Sequence, residues 1–500
     1  MADRRIAVAD LGSNSFRMVV FASGDGWWKR ADEIYEAVRV GEGAERTGEL
    51  GEEPMTRALA TIELFAHFAS ATGLDEIHPV ATSAIRAAAN REAFLERARR
   101  HLPVRVLSEE EEARYGHLAA VNSTSLADGA VLDLGGGSLQ LVRVRGRRAE
   151  AVRSWPLGAV RMTERFVPGP GPATDAQLDA LRSHVARELG SAPWLAGAGR
   201  LVAIGGTVRN LAVAAQIAAG VPTFGVQGFR LERGALDALV ERLACLPAAK
   251  RAKKVPGIKA ARADLILAGA ATVQTVMRAG GFDALEVTEA GLREGVFFER
   301  HLAPGGLFDD VRRASVRNLA LQYSGHELAH VEHVARLALG LFDDLAGAGA
   351  HPGDPGEREL LWAAAMLHDV GVAVDYDDHH RHSRYLILNA GVPGYSQREI
   401  ALIAQMARYH RKGTPSLGDM APLAVEGDGD LLARCATLLR VAEQLDRSRD
   451  QLVRAAHVRL AGGTVELELE GGGDVSLARW AARRQAELFE RTFARSLAVR

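Results

Sequence analysis

Two short apolar stretches near the start of the chain flank a polar turn that contains glycine. They lie within residues 6–21, and the same arrangement recurs within residues 130–142. Apolar runs of β-forming residues on both sides of a glycine-bearing turn are typical of β-hairpins. The pattern therefore predicts two hairpins. An aspartate, Asp10 in the first and Asp133 in the second, ends the leading strand of each.

Between the hairpins the spacing of apolar residues changes to that of helices. It predicts helices at residues 54–71, 175–190 and 233–246, and a third glycine turn follows the apolar run 201–204. Strands that alternate with helices indicate an α/β architecture. Because the hairpin pattern occurs twice, we expect two related subdomains, each of which opens with one hairpin.

The pattern changes again after residue 306. Residues 326–410 are mostly helical in spacing and contain nine of the 16 histidines of the chain. Beyond Asp446, a β-type run at residues 463–469 precedes a predicted closing helix from Leu477 to about Leu497. These changes predict four units, at residues 1–125, 126–303, 304–455 and 456–500, of which the third is all-α and the last is small and α/β.

Composition limits the function. The 500 residues are 47% hydrophobic and 25% charged, with 61 basic and 63 acidic side chains and a net charge of −2. This excludes a disordered chain and a surface that binds nucleic acid or an anionic membrane by bulk positive charge. The sequence contains no signal-type or membrane-spanning apolar run, and its two cysteines form no metal or disulfide motif. We therefore expect a cytoplasmic protein without nucleic-acid or membrane partners.

The glycine turns point to phosphate chemistry. Glycine allows backbone N–H groups to approach phosphate oxygens, and nearby hydroxyl groups add donors. An aspartate at the turn can hold Mg²⁺, which prefers oxygen ligands. A single turn of this kind is as well explained by a plain tight hairpin. Three turns, two of them with an aspartate, predict a phosphate clamp with bound Mg²⁺.

Several motifs carry a resemblance to a known family and occur in the same order. They are DLGSNSF from Asp10, ATSAIR from Ala81, EEAR from Glu111, DLGGGS from Asp133, LGAVRMTE from Leu157 and GGT from Gly205. In these motifs the chain resembles exopolyphosphatases and guanosine pentaphosphate phosphohydrolases. The resemblance covers residues 5–300 closely and extends to residues 379–383 and 408–412.

The resemblance implies two actin/hexokinase-like, RNase H-like subdomains around a cleft, followed by an HD-like helical domain. It also implies a Mg²⁺-dependent phosphohydrolase that releases terminal orthophosphate from inorganic polyphosphate. Hydrolysis of guanosine pentaphosphate at its 5′ end is the alternative, and a homodimer is expected because many members of the family dimerise.

The family's functional positions can be carried over residue by residue. Glu112 would act as general base on the attacking water, and Asp10 and Asp133 would bind Mg²⁺. The phosphate oxygens would be held by Ser13, Asn14, Ser15, Arg86, Gly136, Gly137, Ser138, Gly206 and Thr207.

Two positions depart from the family pattern. Gln140 stands where the family usually has a glutamate, and Glu109 stands where it commonly has a glycine. Glutamine keeps an oxygen ligand but loses the charge, so Mg²⁺ affinity or turnover is expected to be lower. The departure keeps open a third function, a sensor that binds polyphosphate or the guanosine nucleotide without hydrolysing it.

The histidine-rich region resembles a second group of enzymes. The order His330, His368-Asp369 and Asp446 is similar to that of HD metal-dependent phosphohydrolase domains, which implies a second divalent metal with a bound water. His379, His382 and His410 would extend that site. The alternatives are polar groups that satisfy one another between helices, or hydrolysis at this site with the cleft serving only regulation. Basic runs at residues 250–254 and 408–412 are predicted to line a polyphosphate track.

Overall fold

A computed structural model of the chain describes residues 4–222, 224–302, 304–324 and 327–500. The chain divides into two compact units, Met1–Val311 and Arg312–Arg500. The predicted boundary at residue 303 falls outside the described residues. The predicted limits after residues 125 and 455 stay predictions, because the division into units does not separate the chain there.

The first half of the first unit forms a mixed sheet covered by helices. Its elements are β1 (Arg4–Leu11), β2 (Phe16–Gly24), β3 (Trp27–Glu36), α1 (Ala44–Thr47), α2 (Glu52–Ala71), β4 (Glu76–Ala81), α3 (Ser83–Ala87), α4 (Arg91–Ala98), β5 (Arg105–Val106) and α5 (Glu109–Val121). The strand order is β3-β2-β1-β4-β5. The centre of β1, from Ile6 to Ala9, is fully buried, which explains its unbroken apolar run.

The second half repeats this plan. Its elements are β6 (Gly129–Leu134), β7 (Leu139–Arg145), β8 (Arg148–Trp155), α6 (Ala159–Phe166), α7 (Asp175–Leu189), β9 (Arg200–Ile204), α8 (Gly206–Ala218), β10 (Phe229–Glu232), α9 (Arg233–Ala244), α10 (Ala248–Lys254), α11 (Ile266–Gly280), β11 (Ala284–Val287) and α12 (Leu292–His301). The strand order is β10-β11-β9-β6-β7-β8.

The two sheets have the same core topology. In the first, β1 pairs antiparallel with β2 and parallel with β4. In the second, β6 pairs antiparallel with β7 and parallel with β9. Both predicted hairpins are therefore present, and the internal repeat that the sequence predicts is confirmed at the level of strand order.

Helix α12 returns to the first half although it follows the second half in the chain. The ring of Phe297 stacks on Phe21 of β2, with centroids 4.3 Å apart and planes 12° from parallel. Gly295 lies so close to the carbonyl oxygen of Tyr115 that a Cβ there would overlap it. This packing fixes the position of α12, whose first turn carries Arg293.

The second unit is helical up to residue 445 and ends in a small sheet. Its elements are α13 (Val311–Ser324), α14 (Leu328–Gly347), α15 (Pro355–Leu367), α16 (His379–Ala390), α17 (Gln397–Tyr409), α18 (Asp428–Leu445), β12 (Val453–Ala461), β13 (Thr464–Gly471), α19 (Ser476–Arg483), α20 (Ala486–Phe493) and β14 (Ser496–Val499). The strand order is β12-β13-β14. None of the helices in the described residues is long and apolar enough to cross a membrane.

The predicted single closing helix is wrong. The segment forms the two short helices α19 and α20, and then the strand β14, which pairs parallel with β13. Ala494 has φ +52°, a left-handed conformation that ends α20 and turns the chain towards the sheet. The register with β13, from Thr464 opposite Ser496, then holds the last residues as a strand.

Candidate functional site

Two glycine turns face each other across a cavity of about 570 Å³ in the first unit. One joins β1 to β2 and the other joins β6 to β7. In the first turn the N–H of Gly12 donates to the carbonyl oxygen of Ser15 at 3.2 Å. In the second, the N–H of Gly135 donates to the carbonyl oxygen of Ser138 at 3.0 Å. The matching hydrogen bonds show that the two halves present the same turn to the cavity.

The turns approach each other because glycine leaves room between them. A Cβ on Gly137 would overlap the Ser83 hydroxyl and lie 2.9 Å from Ser13 Oγ. The two hydroxyl groups are themselves 3.1 Å apart and share a hydrogen bond. A third turn follows β9, where Gly205 has φ +106° and passes close to the Asp133 carboxylate. This is a conformation that favours glycine.

Asp10, Glu112 and Asp133 are three of the five carboxylates that line the cavity. Asp10 lies near the end of β1, Asp133 lies near the end of β6, and Glu112 lies in the first turn of α5. Ser108 caps α5, and its reciprocal hydrogen bonds with Glu111 set where this helix begins. The register of two strands and one helix start therefore brings the three acids together.

Burial and mutual repulsion raise the proton affinity of these acids. Burial is the largest cause in each case and raises the pKa of Asp10 and of Glu112. For Asp133, burial together with the charges of Glu112 and Asp10 raises the pKa to about 7. A cluster of acids that are largely shielded from water and that disfavour their own charge would gain from a bound cation.

Glu112 is held from two sides. Arg86 Nη1 donates to Glu112 Oε2 at 2.8 Å and to the carbonyl oxygen of Leu107 at 3.0 Å. The Gln140 side chain forms a hydrogen bond with Glu112 that lowers the pKa of the acid, and its Nε2 also donates to Ser138 Oγ at 2.9 Å. These contacts oppose the effect of burial and fix the direction of the carboxylate.

Basic side chains complete the cavity wall. Those that line it are Arg17, Arg209, Lys259, Arg262 and Arg293. Arg293 Nη1 donates to Asp10 Oδ2 at 3.1 Å, and Arg209 Nη1 donates to the carbonyl oxygen of Glu289 at 2.7 Å. Burial lowers the pKa of Arg209 to about 9, so this guanidinium is still charged at neutral pH. The wall thus presents positive charge to an anionic ligand.

The sequence interpretation assigned no role to any of these basic residues. Arg17 directly follows the first turn motif, and Arg262 and Arg293 lie within residues 5–300, the range that the family resemblance covers. Their place in that range is the signal that draws attention to them. Arg209 and Lys259 had no such signal, because only the folded chain brings α8 and the segment before α11 to the cavity.

Most of the predicted phosphate-binding residues line the cavity. They are Ser13, Asn14, Ser15, Gly136, Ser138 and Gly206. Arg86, Gly137 and Thr207 do not line it. Arg86 lies behind Glu112, Gly137 lines a neighbouring cavity of about 320 Å³, and Thr207 is buried against Gly269.

The donor set of the cavity fits Mg²⁺. Asp10 and Asp133 offer carboxylate oxygens, which are hard ligands, beside turns that present backbone N–H groups and hydroxyls to phosphate. These two residues are the ones that would hold the ion.

A second group of metal-binding residue types lies within the second unit. Its members are His330, His368, Asp369, His379 and His410, and all of them are buried. Asp369 Oδ1 lies 3.6 Å from His368 Nε2, 3.4 Å from His379 Nε2 and 3.6 Å from His410 Nε2. His330 Nε2 lies 3.9 Å from Asp369 Oδ2. We call these five residues the histidine cluster.

The outer nitrogens of the histidine cluster are all engaged. The Nδ1 atoms of His368, His379 and His410 lie 2.7, 2.8 and 2.7 Å from backbone carbonyl oxygens, to which each donates. His330 Nδ1 lies 2.7 Å from Asp446 Oδ2. With the proton on Nδ1, each ring directs its Nε2 towards Asp369, and the Nε2 atoms of His379 and His410 lie 3.0 Å apart. This is the tautomer that metal-binding histidines use.

Charges within the cluster hold Asp369 ionised. The neighbouring histidines, His368 first, and the Arg449 guanidinium keep the pKa of Asp369 well below its usual range, against the effect of burial. Burial lowers the pKa of His368 and of His410, and the Asp369 carboxylate opposes this effect. His330 Nε2, His368 Nε2 and Asp369 Oδ1 are buried without hydrogen-bond partners. Unpaired buried polar atoms of this kind call for a ligand.

Two other residues of the sequence analysis have clear partners in the structure. Asp446 accepts from His330 Nδ1 and, through Oδ1, from the N–H of Gln451, and its predicted role as a possible metal ligand stays a prediction. Arg251, in the basic run predicted to line a polyphosphate track, is 1% exposed and donates to the carbonyl oxygens of Leu243 and Ala263. It is therefore a structural residue of α10.

Two related α/β halves enclose a cavity that is lined by acids, arginines and glycine turns. This is the arrangement of a two-lobed, actin-like protein. Residues 19–303 match the Ppx/GppA phosphatase family, and residues 311–480 match Ppx/GppA phosphatase, domain III. The chain belongs to the Ppx/GppA phosphatase family.

Individual relatives agree with this assignment. The chain is 28% identical over 456 residues to the guanosine-5′-triphosphate,3′-diphosphate pyrophosphatase of Vibrio campbellii, which covers 89% of this chain and 87% of that protein. Its match to the protein of the same name from Vibrio parahaemolyticus is 29% over 473 residues, 91% of this chain and 90% of the other.

A solved structure supports the fold. The crystal structure of the Aquifex aeolicus member of the Ppx/GppA family superposes with a TM-score of 0.51 at 29% identity, over 59% of this chain and 96% of that one. The family resemblance of the motifs is thus confirmed, and so is the mixed α/β, actin-like fold. No comparison tests the HD-like character predicted for the histidine-rich region.

Proposed function

We propose that the protein is a Mg²⁺-dependent exopolyphosphatase that releases terminal orthophosphate from inorganic polyphosphate. The observation that carries this proposal is the Glu112 carboxylate, fixed by Arg86 at 2.8 Å beside Asp10 and Asp133 in a cavity lined with arginines. Phosphoryl transfer to water needs an activated nucleophile and neutralisation of several phosphate oxygens. The cavity offers residues for both tasks.

Glu112 is the proposed general base. It accepts a proton from water while the water oxygen forms a bond to the terminal phosphorus. The bridging P–O bond breaks, and its electron pair leaves with the shortened chain. Burial raises the pKa of Glu112, whereas Arg86 and Gln140 lower it, so the acid has a proton affinity suited to accepting a proton near neutral pH.

The remaining groups hold the substrate. The backbone N–H groups and hydroxyls of the two turns, with Ser13 and Ser138 among them, are placed to donate to phosphate oxygens. Arg17, Arg209 and Arg262 supply positive charge, while Arg293 is shared with Asp10. Asp10 and Asp133 would hold Mg²⁺. When bound, this ion neutralises charge on the phosphate oxygens.

Guanosine pentaphosphate is the second candidate substrate. The relatives described above carry a name that refers to this nucleotide. Beyond the turns, the cavity wall includes Tyr35, Val213 and Val226, which are apolar surfaces that a nucleoside could contact and that a bare polyphosphate does not need. Hydrolysis of its 5′ terminal phosphate would use the same groups.

A phosphate-release assay with both substrates tests this proposal. We expect Mg²⁺-dependent release from long-chain polyphosphate, and a comparison of kcat/KM assigns the preferred substrate. Release that is faster from guanosine pentaphosphate would move the assignment to the second candidate. If neither substrate yields phosphate but both bind, the protein is a sensor, as the presence of Gln140 already suggested.

We also propose that the histidine cluster binds a divalent metal, as expected of an HD-like domain. The supporting observation is the convergence of four Nε2 atoms on Asp369 with every Nδ1 engaged elsewhere. Asp446 would orient His330 rather than bind the ion. Transition metals favour imidazole and carboxylate ligands of this kind.

Metal analysis of purified variants tests this second proposal. The double variant His368→Asn, Asp369→Asn should lose one or two equivalents of bound metal. His382→Asn is the matched control, because this partly exposed histidine belongs to the same region but not to the cluster. If phosphate release vanishes in the double variant but survives Glu112→Gln, hydrolysis belongs to the histidine cluster and not to the cavity.

A further inference from the structure

A small group of metal-binding residue types lies in the first unit away from the cavity. Its members are Glu76 and His78 on β4 and His301 at the end of α12. None of the three lines the cavity between the turns. The side chains are 36%, 19% and 8% exposed, so the group is half-buried but within reach of ions in solution.

Three ligand atoms of this group form a nearly equilateral triangle. His78 Nε2 lies 3.2 Å from His301 Nε2 and 3.2 Å from Glu76 Oε2, and His301 Nε2 lies 3.7 Å from Glu76 Oε2. A tetrahedral zinc ion with nitrogen and oxygen ligands at about 2.0–2.2 Å has ligand atoms about 3.3–3.6 Å apart. The three sides of the triangle agree with one face of such a tetrahedron.

The triangle brings two imidazole nitrogens and one carboxylate oxygen close together. His78 Nε2 lies 3.2 Å from both His301 Nε2 and Glu76 Oε2. An imidazole nitrogen carries at most one proton, so a proton on His78 Nε2 can point at only one of these two neighbours. A cation at the centre would instead be held by lone pairs of all three atoms.

The surroundings favour a metal that prefers nitrogen. Glu76 Oε1 pairs with Arg4, which leaves Oε2 for an ion. Two imidazoles and one carboxylate are a ligand set of zinc sites that keep a fourth position for water.

We propose that Glu76, His78 and His301 form a binding site for one Zn²⁺ ion. The ion joins the start of β4 to the end of α12. β4 leads into the segment that places Ser83 between the glycine turns, and α12 begins beside Arg293, which donates to Asp10. Zinc at this site therefore ties together two elements that shape the cavity, from outside it.

Zinc binding to the full-length chain tests this proposal. After removal of metal with a chelator, equilibrium dialysis against Zn²⁺ should give one more equivalent for the wild-type protein than for His301→Asn. His101→Asn is the matched control, because this exposed histidine lies outside the triangle, and it should bind as the wild type does. Equal zinc content in wild type and His301→Asn would overturn the proposal.

A second variant keeps the test decisive if His301→Asn fails to fold. Glu76→Gln preserves shape, and its far-ultraviolet circular dichroism should match the wild type. We expect its affinity for Zn²⁺ at this site to fall at least tenfold, with loss of the visible absorption that tetrahedral Co²⁺ gives there in the wild type. Unchanged Zn²⁺ affinity and an unchanged Co²⁺ spectrum in Glu76→Gln would also reject the site. These readouts do not depend on phosphate release, so they are independent of the proposed function.

Discussion

Arg86 Nη1 lies 2.8 Å from Glu112 Oε2 and donates a hydrogen bond to it. Both side chains are largely buried, and the same Arg86 nitrogen is anchored to the carbonyl oxygen of Leu107. Arg86 is therefore a positioning residue that sets the direction and the proton affinity of Glu112. The direct phosphate contact predicted for Arg86 stays a prediction, since this side chain does not line the cavity.

Arg86→Ala should lower kcat/KM about 100-fold, because a misplaced reacting group costs a factor of this order. It should also change the pH profile. Arg86 lowers the pKa of Glu112, so its removal raises that pKa, and the base becomes protonated at higher pH. The acid limb of the kcat/KM profile should therefore move to higher pH. Arg100→Ala, at an exposed position, is the control; an acid limb that stays in place in Arg86→Ala contradicts the assignment.

Gln140→Glu should strengthen Mg²⁺ binding. Gln140 lies directly opposite Asp133 in the antiparallel pair of β6 and β7, so the substitution adds a carboxylate beside two others. We expect a lower Mg²⁺ concentration for half-maximal activity, together with a higher pKa for Glu112, because a donor is replaced by a like charge. Gln140→Met, which removes the hydrogen bonds without adding charge, should not gain Mg²⁺ affinity. An unchanged Mg²⁺ dependence in Gln140→Glu would show that this position does not act on the metal.

Asp133 should make the metal-free protein less stable as pH rises. Its pKa of about 7 in the folded protein exceeds its ordinary value of 3.8, so the folded state holds this proton more tightly than the unfolded state. Its contribution to the free energy of unfolding should fall between about pH 4 and pH 7, by up to about 1.4 kcal/mol per pH unit, and stay constant above that range. Melting temperatures in a chelator should show this slope in the wild type. Asp133→Asn should lose this slope. An identical slope in the wild type and in Asp133→Asn would contradict the raised pKa of Asp133.

Gly137→Ala should push the two glycine turns apart. Its Cβ would overlap the Ser83 hydroxyl and lie 2.9 Å from Ser13 Oγ, and overpacking of this kind costs about 1–3 kcal/mol of stability. Because the turns hold the substrate, KM should rise together with the loss of stability measured by denaturant unfolding. Gly169→Ala is the control, because a Cβ there meets no atom within 4 Å. Equal KM values in both variants would show that the spacing of the turns does not matter.

The sequence alone predicts the two hairpins and the internal repeat, because alternating apolar runs and glycine turns are local signals. The sequence alone also predicts that Asp10 and Asp133 occupy equivalent positions, since each lies near the end of a hairpin strand. The pairing of Arg86 with Glu112 could not be predicted from local signals, because it depends on how α3 and α5 are placed in the fold. The isolated motif suggested phosphate as the partner of Arg86.

The same limit applies elsewhere. Arg293 reaches Asp10 only because α12 packs back on the first half through Phe297 and Gly295. The sequence predicts His379 and His410 as candidate ligands, but their convergence on Asp369 requires α16 and α17 to lie side by side. The strand β14 was missed because Ala494, an ordinary helix former, adopts a left-handed conformation and ends α20. Tertiary packing decides each of these cases.

The most direct test of the central claim is orthophosphate release by Glu112→Gln, measured with Mg²⁺ on long-chain polyphosphate and on guanosine pentaphosphate. Glu110→Gln, a change at an exposed acid in the same helical turn, is the matched control. We predict that Glu112→Gln loses about 10²- to 10⁴-fold in kcat on the preferred substrate, as expected for loss of a general base, while the substrate still binds and Glu110→Gln keeps wild-type rates. Wild-type rates in Glu112→Gln would contradict the account.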